Sequence, residues 1–243
     1  MSENRSIFVD LKPLWLRFNT MSSSLISRYF STKDRVIDTI CWEDIRFDLC
    51  ENLWWSRRYE YAWIADVYKE YFASCRYRHH LCALDLATGY KHPTPFILSS
   101  LGFQKVVCSD IVELEQMQCA GYFRNGITYT QIDVTKQISI MADCVTCISL
   151  LEHISKEDQK AAVQNIATCV KPNGCVLLTF DVAKSATAVD IGTIYGVLRH
   201  NGFNYYTESV LHQERLNSGT ALYANDVCKK WNLWCYRLFA WRS

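Results

Sequence analysis

Short apolar runs alternate with segments of helical periodicity between residues 81 and 181. The apolar runs predict strands at 81–86, 105–109, 127–132, 144–150 and 175–180. The segments between them predict helices at 95–101, 112–120 and 156–170. Strands that are apolar along their whole length are typical of a parallel sheet covered by helices on both faces. The pattern therefore predicts an α/β fold with a doubly wound, mostly parallel sheet.

The helix predicted at 156–170 has clear signals at both ends. Ser155 is placed to cap the first turn, and Glu157 and Asp158 favour the positive end of the helix dipole. The sequence Lys-Pro-Asn-Gly at 171–174 is expected to end the helix. Further along, a helix is predicted at 191–199 and a closing strand at 234–241.

The chain changes character near residue 80. Residues 42–72 are dense in aromatic and charged side chains at mostly helical intervals, with no Gly or Pro between them. This predicts a helical extension over residues 1–79 that packs on another element. Residues 80–243 are expected to form the α/β domain.

Composition narrows the classes of function. The 26 Lys and Arg residues balance 25 Asp and Glu, so nucleic acid is not expected as a partner. No apolar run reaches membrane-spanning length, and residues 1–10 contain acidic residues rather than a charged start followed by an apolar stretch, so we expect a cytoplasmic protein without a transmembrane segment. Many of the 12 cysteines lie inside apolar runs, and Cys144 and Cys147 have no second pair at zinc-binding spacing. They are predicted to be reduced and buried, with no metal site.

Acidic residues close or follow four successive predicted strands: Asp85, Asp110, Asp133 and Glu152. Ligands of open α/β sheets bind at the carboxyl ends of the strands, so these residues are candidates for a binding site. Asp110 lies where an acid accepts hydrogen bonds from ribose hydroxyls. The first turn contains only Gly89, which disfavours a nicotinamide dinucleotide and an oxidoreductase.

Five segments in order resemble class I S-adenosylmethionine-dependent methyltransferases. They are ALDLATG at 83–89, VCSDI at 107–111, QIDV at 131–134, DCVTCISLLEHI at 143–154 and VKPNGCVLL at 170–178. The resemblance implies a Rossmann-like, seven-stranded sheet, S-adenosyl-L-methionine as cofactor, and transfer of a methyl group by in-line displacement. The Pro-rich loop after Gly89 is similar to that of some bacterial methyltransferases associated with surface-glycan genes.

The resemblance also implies a set of cofactor-binding residues. Asp85 orients the first turn or reaches the amino group of the methionine moiety, which the backbone of Ala87 and Gly89 approaches. Asp110 holds the ribose hydroxyls and Asp133 the adenine amino group. The remaining members of the set are Thr88, Ile111, Ile132 and Leu150, of which Ile111 and Ile132 flank the adenine ring.

One position departs from the family pattern. Family members usually have Gly where this chain has Ala87, and we expect the backbone at Ala87 to avoid positive φ. The departure leaves open a catalytically silent scaffold that binds a partner.

The acceptor is expected to be a small molecule or a glycan. His153 is the candidate general base, since imidazole titrates near neutral pH, although a structural role for this residue stays open. Arg57, Arg58 and Tyr61 lie in an aromatic segment similar to one in the glycan-associated enzymes and are candidates for acceptor binding. The extension is then either a lid over the acceptor or an amphipathic helix covering the sheet. The sequence makes no prediction of oligomeric state.

Overall fold

The computed structural model describes residues 57–72, 80–89, 94–113, 126–183, 189–205 and 233–242. The elements in these ranges are α1 (Arg57–Tyr71), β1 (Cys82–Leu86), α2 (Thr94–Ser100), β2 (Lys105–Asp110), β3 (Ile127–Gln131), β4 (Ala142–Ile148), a 3-10 turn (Leu151–His153), α3 (Lys156–Cys169), β5 (Val170–Ala183), α4 (Ile191–His200), β6 (Phe203–Tyr205) and β7 (Leu233–Arg242). No helix within these ranges combines the length and the apolarity that crossing a membrane requires.

The strands form one sheet of seven in the order β3-β2-β1-β4-β5-β7-β6. Strands β1 to β5 are parallel to one another, and β7 is antiparallel to both β5 and β6. The doubly wound, mostly parallel seven-stranded sheet is confirmed. The strand order reverses between β1 and β4, which is where open α/β sheets form their ligand crevice.

The core covers both faces of the sheet. On one face, α1 places the Tyr71 ring 5.4 Å from the ring of Phe239. On the other, Phe180 stacks on Tyr236, whose hydroxyl hydrogen-bonds that of Tyr195 in α4. Side chains alternate between faces along a strand, so consecutive residues within β5, and within β7, pack in opposite layers.

The strands and helices within the described residues lie within a few residues of their predicted positions. The closing strand is confirmed, while the short strand β6 was not predicted from the sequence. The helix predicted at 112–120 falls largely outside the described residues. Cys108, Cys144 and Cys147 are buried, as predicted, and none of these three forms a disulfide.

The start of α3 follows the sequence prediction, and its end differs in detail. Ser155 Oγ accepts a hydrogen bond from the Asp158 amide at 3.1 Å, which confirms the cap. The helix ends at Cys169, but 171–174 belong to β5 rather than to a separate loop. Ala142 pairs with Val170 and Cys144 with Cys175, so the segment between forms a bulge with Asn173 at φ 62°. Because Val170 pairs with Ala142 of β4, strand β5 begins before the bulge.

Candidate functional site

Asp85 is buried at the end of β1, with 1% of its surface exposed. Its Oδ2 accepts a hydrogen bond from the Thr88 hydroxyl at 2.8 Å. Its Oδ1 accepts one from the Thr146 hydroxyl on the neighbouring strand β4 at 2.5 Å. The carboxyl group is therefore fixed between the two strands that flank the reversal of strand order.

The pKa of Asp85 is raised from its ordinary value of 3.8 to about 7. Burial is the main cause, because it disfavours the charged form. The hydrogen bonds from Thr146 and Thr88 lower the pKa but do not offset the burial, and the nearby Asp110 carboxylate raises it further. A positive charge close to Asp85 would restore the ionised form.

The turn after β1 passes through the left-handed region of backbone conformation. Ala87 has φ 53° and Gly89 has φ 66°. The prediction that Ala87 avoids positive φ is therefore wrong. The turn brings the Thr88 amide to the Ser109 carbonyl oxygen at 2.8 Å, and this pairing with β2 holds the backbone next to Ala87 in place. For alanine the left-handed conformation costs about 1–2 kcal/mol.

Asp110 at the end of β2 ties this turn down. Its Oδ2 accepts a hydrogen bond from the Gly89 amide and its Oδ1 one from the Ile111 amide, both at 2.8 Å. The structure thus brings together four of the predicted residues, Asp85, Thr88, Gly89 and Asp110. The adjoining Ile111 side chain is 62% exposed, which is unusual for a large apolar residue among the described residues.

The end of β3 lies next to the end of β2. The Ile132 amide donates to the Asp110 carbonyl oxygen at 2.9 Å, and the Ile132 side chain is partly buried. Asp133 Oδ1 accepts hydrogen bonds from the Thr135 amide and hydroxyl, and these bonds hold the pKa of Asp133 below its ordinary value. Asp133 is therefore a fixed anion at the same edge of the sheet.

The end of β4 forms a second strained turn. Ser149 has φ 45°, and its amide donates to the Thr179 carbonyl oxygen at 2.8 Å. Leu150 follows, and its carbonyl oxygen accepts from the His153 amide at 2.9 Å. The His153 ring is exposed, and no described residue hydrogen-bonds it. Glu152, in contrast, accepts a hydrogen bond from the Asp181 amide of β5, which is a structural contact.

The predicted acceptor residues lie on or beside α1. Arg57 and Arg58 begin the helix, and their side chains lie outside what the structure describes. Tyr61 is buried, with 1% of its surface exposed. None of these positions tests acceptor binding, so all three roles stay predictions.

Sequence reasoning missed Glu60, the one fully buried acidic side chain of α1 in the described residues. Its Oε1 accepts a hydrogen bond from the Ser149 hydroxyl at 3.2 Å. The available signal was its spacing, because Glu60 is three and four residues before the apolar Trp63 and Ile64 and shares their helix face.

The profile of the family described as "Methyltransferase domain" matches residues 54–223. The chain belongs to this family. The match begins before β1 and includes α1, so the helix lies within the matched region. No curated protein sequence matches the chain.

Solved structures similar to this methyltransferase domain share its fold at low sequence identity. The magnesium protoporphyrin IX methyltransferase from Synechocystis PCC 6803 with bound SAM is 18% identical with a TM-score of 0.51, over 99% of this chain and 100% of that one. The CurJ carbon methyltransferase is 11% identical with a TM-score of 0.57, over 97% and 72%. The [4+2]-cyclase SpnF is 14% identical with a TM-score of 0.54, over 79% and 84%.

Proposed function

We propose that this chain transfers a methyl group from S-adenosyl-L-methionine to a small-molecule or sugar acceptor. The observation that carries the proposal is the junction of β1 and β2, where Asp110 hydrogen-bonds the turn that follows the buried Asp85. This junction lies beside the reversal of strand order, where α/β sheets bind nucleotides.

The chemistry of the residues at this edge fits the cofactor. A carboxylate has about four acceptor positions, so Asp110 retains capacity for ribose hydroxyls beyond its two backbone bonds. The hydrogen bonds described for Asp133 use Oδ1 alone, which leaves Oδ2 to accept from an adenine amino group. The exposed Ile111 and the partly buried Ile132 offer apolar contacts to a ring between them.

The methionine end of the cofactor fits Asp85 and its turn. A cofactor ammonium near Asp85 would compensate the burial that raises its pKa. Thr88 and Gly89 hold the turn through their hydrogen bonds. The small side chain of Ala87 allows the cofactor to approach the backbone closely. Leu150 bounds the cofactor site on the side of β4. These assignments rest on the family resemblance together with the observed contacts.

The chemical step asks little of the protein. Bound S-adenosyl-L-methionine supplies a methyl group on a sulfonium, which is a good leaving group. The chain orients the acceptor in line and removes its proton where necessary. We assign the removal of this proton to His153, because its ring is exposed after the end of β4 and no described residue hydrogen-bonds it.

For the acceptor, we propose binding by Arg57, Arg58 and Tyr61 of an N-terminal part (residues 1–79) that acts as a lid. The balanced charge of the chain favours a neutral or small acceptor over nucleic acid. We place the reaction in the cytoplasm. The similarity of the loop after Gly89 to glycan-associated methyltransferases favours a sugar hydroxyl.

The test is calorimetric titration of the purified protein with S-adenosylmethionine and S-adenosylhomocysteine. We expect micromolar binding by the wild type and loss of binding in Asp110→Ala. Glu157→Ala is the matched control, because it removes an exposed acid from the first turn of α3 and should leave binding unchanged. Wild-type protein that binds neither compound would overturn the proposal.

A second candidate is a catalytically silent scaffold with this fold. Ala87 favours it, since the left-handed turn would be unstrained with glycine. The similarity to a cyclase indicates that the fold serves reactions other than methyl transfer. A folded wild type without cofactor affinity would make this candidate the better one.

A further inference from the structure

We propose that Glu60 is a positioning residue, which holds the turn after β4 in the conformation that cofactor binding requires. The inference rests on the proposed function, because the turn contains Ser149 and Leu150 at the edge assigned to the cofactor. It assigns a task to α1 that does not depend on acceptor binding.

The interface between α1 and the sheet changes from apolar to polar along the strands. Toward the amino end of β5, Leu177 pairs with Phe239, whose ring contacts Tyr71. Two residues further along β5, Thr179 pairs with Arg237. Every second residue of a strand lies on the same face, so both pairs face α1. The polar pair is the one nearer the carboxyl edge, where the candidate site lies.

The first turns of α1 lie against this polar pair. Trp63 places its ring 5.8 Å from the Arg237 guanidinium, and Arg237 is only 3% exposed. Glu60 lies one helical turn before Trp63 and is fully buried. A buried carboxylate is costly, and an apolar residue would dock the helix at less cost. The placement of Glu60 against Ser149 therefore calls for a role beyond packing.

Ser149 is held in its strained conformation from two directions. Its amide donates to the Thr179 carbonyl oxygen, and its hydroxyl donates to Glu60 Oε1. A positive φ costs a non-glycine residue about 1–2 kcal/mol, so the conformation persists only where its surroundings enforce it. The direction of the chain through Leu150 to His153 depends on that conformation. Loss of the Glu60 contact should loosen this side of the cofactor site.

The experiment compares Glu60→Leu, Glu60→Gln and Ser149→Ala by calorimetry with S-adenosylhomocysteine. Glu60→Leu and Ser149→Ala should each weaken binding by about three- to tenfold, the effect of one net hydrogen bond. The double variant should weaken it by less than the sum of the two single effects, because both changes remove the shared contact. Glu60→Gln keeps an acceptor oxygen and should restore most of the affinity.

Tyr68→Phe is the matched control. It removes another buried hydrogen bond from α1 to the sheet, between Tyr68 Oη and the Val145 carbonyl oxygen at 3.0 Å, in the middle of β4 rather than in the turn after it. It should lower the melting temperature and leave the affinity unchanged.

The outcomes separate the two proposals. Two outcomes would overturn the positioning role. The first is that the effects of Glu60→Leu and Ser149→Ala on affinity are additive. The second is that Glu60→Leu binds with wild-type affinity. Should Glu60→Leu not fold, Ser149→Ala with an unchanged affinity has the same meaning. Wild-type protein without affinity would instead overturn the proposed function.

Discussion

Two aspartates at opposite ends of the parallel strands differ in how the fold compensates the charge of their carboxyl groups. Asp143 lies near the amino ends of the strands, and its Oδ2 accepts hydrogen bonds from the Lys171 ammonium at 2.8 Å and from the Cys82 amide at 2.7 Å. Asp85 lies at the carboxyl end of β1 and hydrogen-bonds two threonine hydroxyls. Among the described residues, no cation pairs with Asp85.

The difference distinguishes a structural acid from a candidate functional one. The chain supplies a cation to Asp143, so this carboxylate is compensated within the fold. Asp85 instead has a pKa raised to about 7 by burial. Strained backbone accompanies it at Ala87 and at Ser149 of the adjacent strand end. Perturbed titration and stored strain in one place are typical of a binding site.

The largest expected effect comes from Asp85→Asn, which replaces the carboxyl group by a neutral group of the same shape. In the wild type the folded pKa of about 7 lies above the ordinary 3.8, so the folded protein holds a proton that the unfolded chain releases. The stabilisation is complete below about pH 4 and is lost as pH rises through 7. Asp85→Asn should flatten this profile and raise the free energy of unfolding at pH 8 by up to about 4 kcal/mol.

Urea denaturation at pH 5 and pH 8 measures the effect. The matched variant is Asp143→Asn, which breaks the ion pair with Lys171 and should lower stability at both pH values. Cofactor affinity should fall in Asp85→Asn and stay in Asp143→Asn. Parallel stability profiles for wild type and Asp85→Asn would contradict the assignment of the titration to Asp85.

A smaller effect is expected from Lys171→Met at the other edge. The Lys171 side chain is 38% exposed and that of Asp143 is 19% exposed, so solvent screens the pair. The free energy of unfolding should fall by about 1 kcal/mol, and the loss should shrink at high salt. Lys136→Met, at an exposed position in the loop after β3, is the control and should change stability by less. A salt-independent loss would mean that packing of the lysine stem dominates.

The sequence predicted the layers of the fold because they follow from local periodicity. Continuous apolar runs identify buried parallel strands, and Ser155 marks the start of α3 through a contact three residues away. Strand β6 was missed because three residues carry no periodic signal. The bulge in β5 was missed because it depends on pairing with β4.

The candidate site was predictable to the extent that strand ends identify it. Asp85, Asp110 and Asp133 follow strands, so their shared edge could be deduced from the α/β pattern. The Glu60 contact joins residues 89 positions apart, which no local pattern encodes. The backbone at Ala87 was predicted wrongly because residue identity was taken to set φ, whereas pairing of Thr88 with β2 holds the backbone next to Ala87 in place.

The smallest expected effect is that of Ala87→Gly. Relief of the left-handed strain is offset in part by the greater freedom of glycine in the unfolded chain, so stability should rise by about 0.5 kcal/mol. Asn173→Gly is the control at the opposite edge, because Asn173 shares a positive φ of 62° but asparagine tolerates it. Asn173→Gly should not raise stability. The two variants are compared by urea denaturation, and an equal gain in both would show that the strain at Ala87 is not specific to the candidate site.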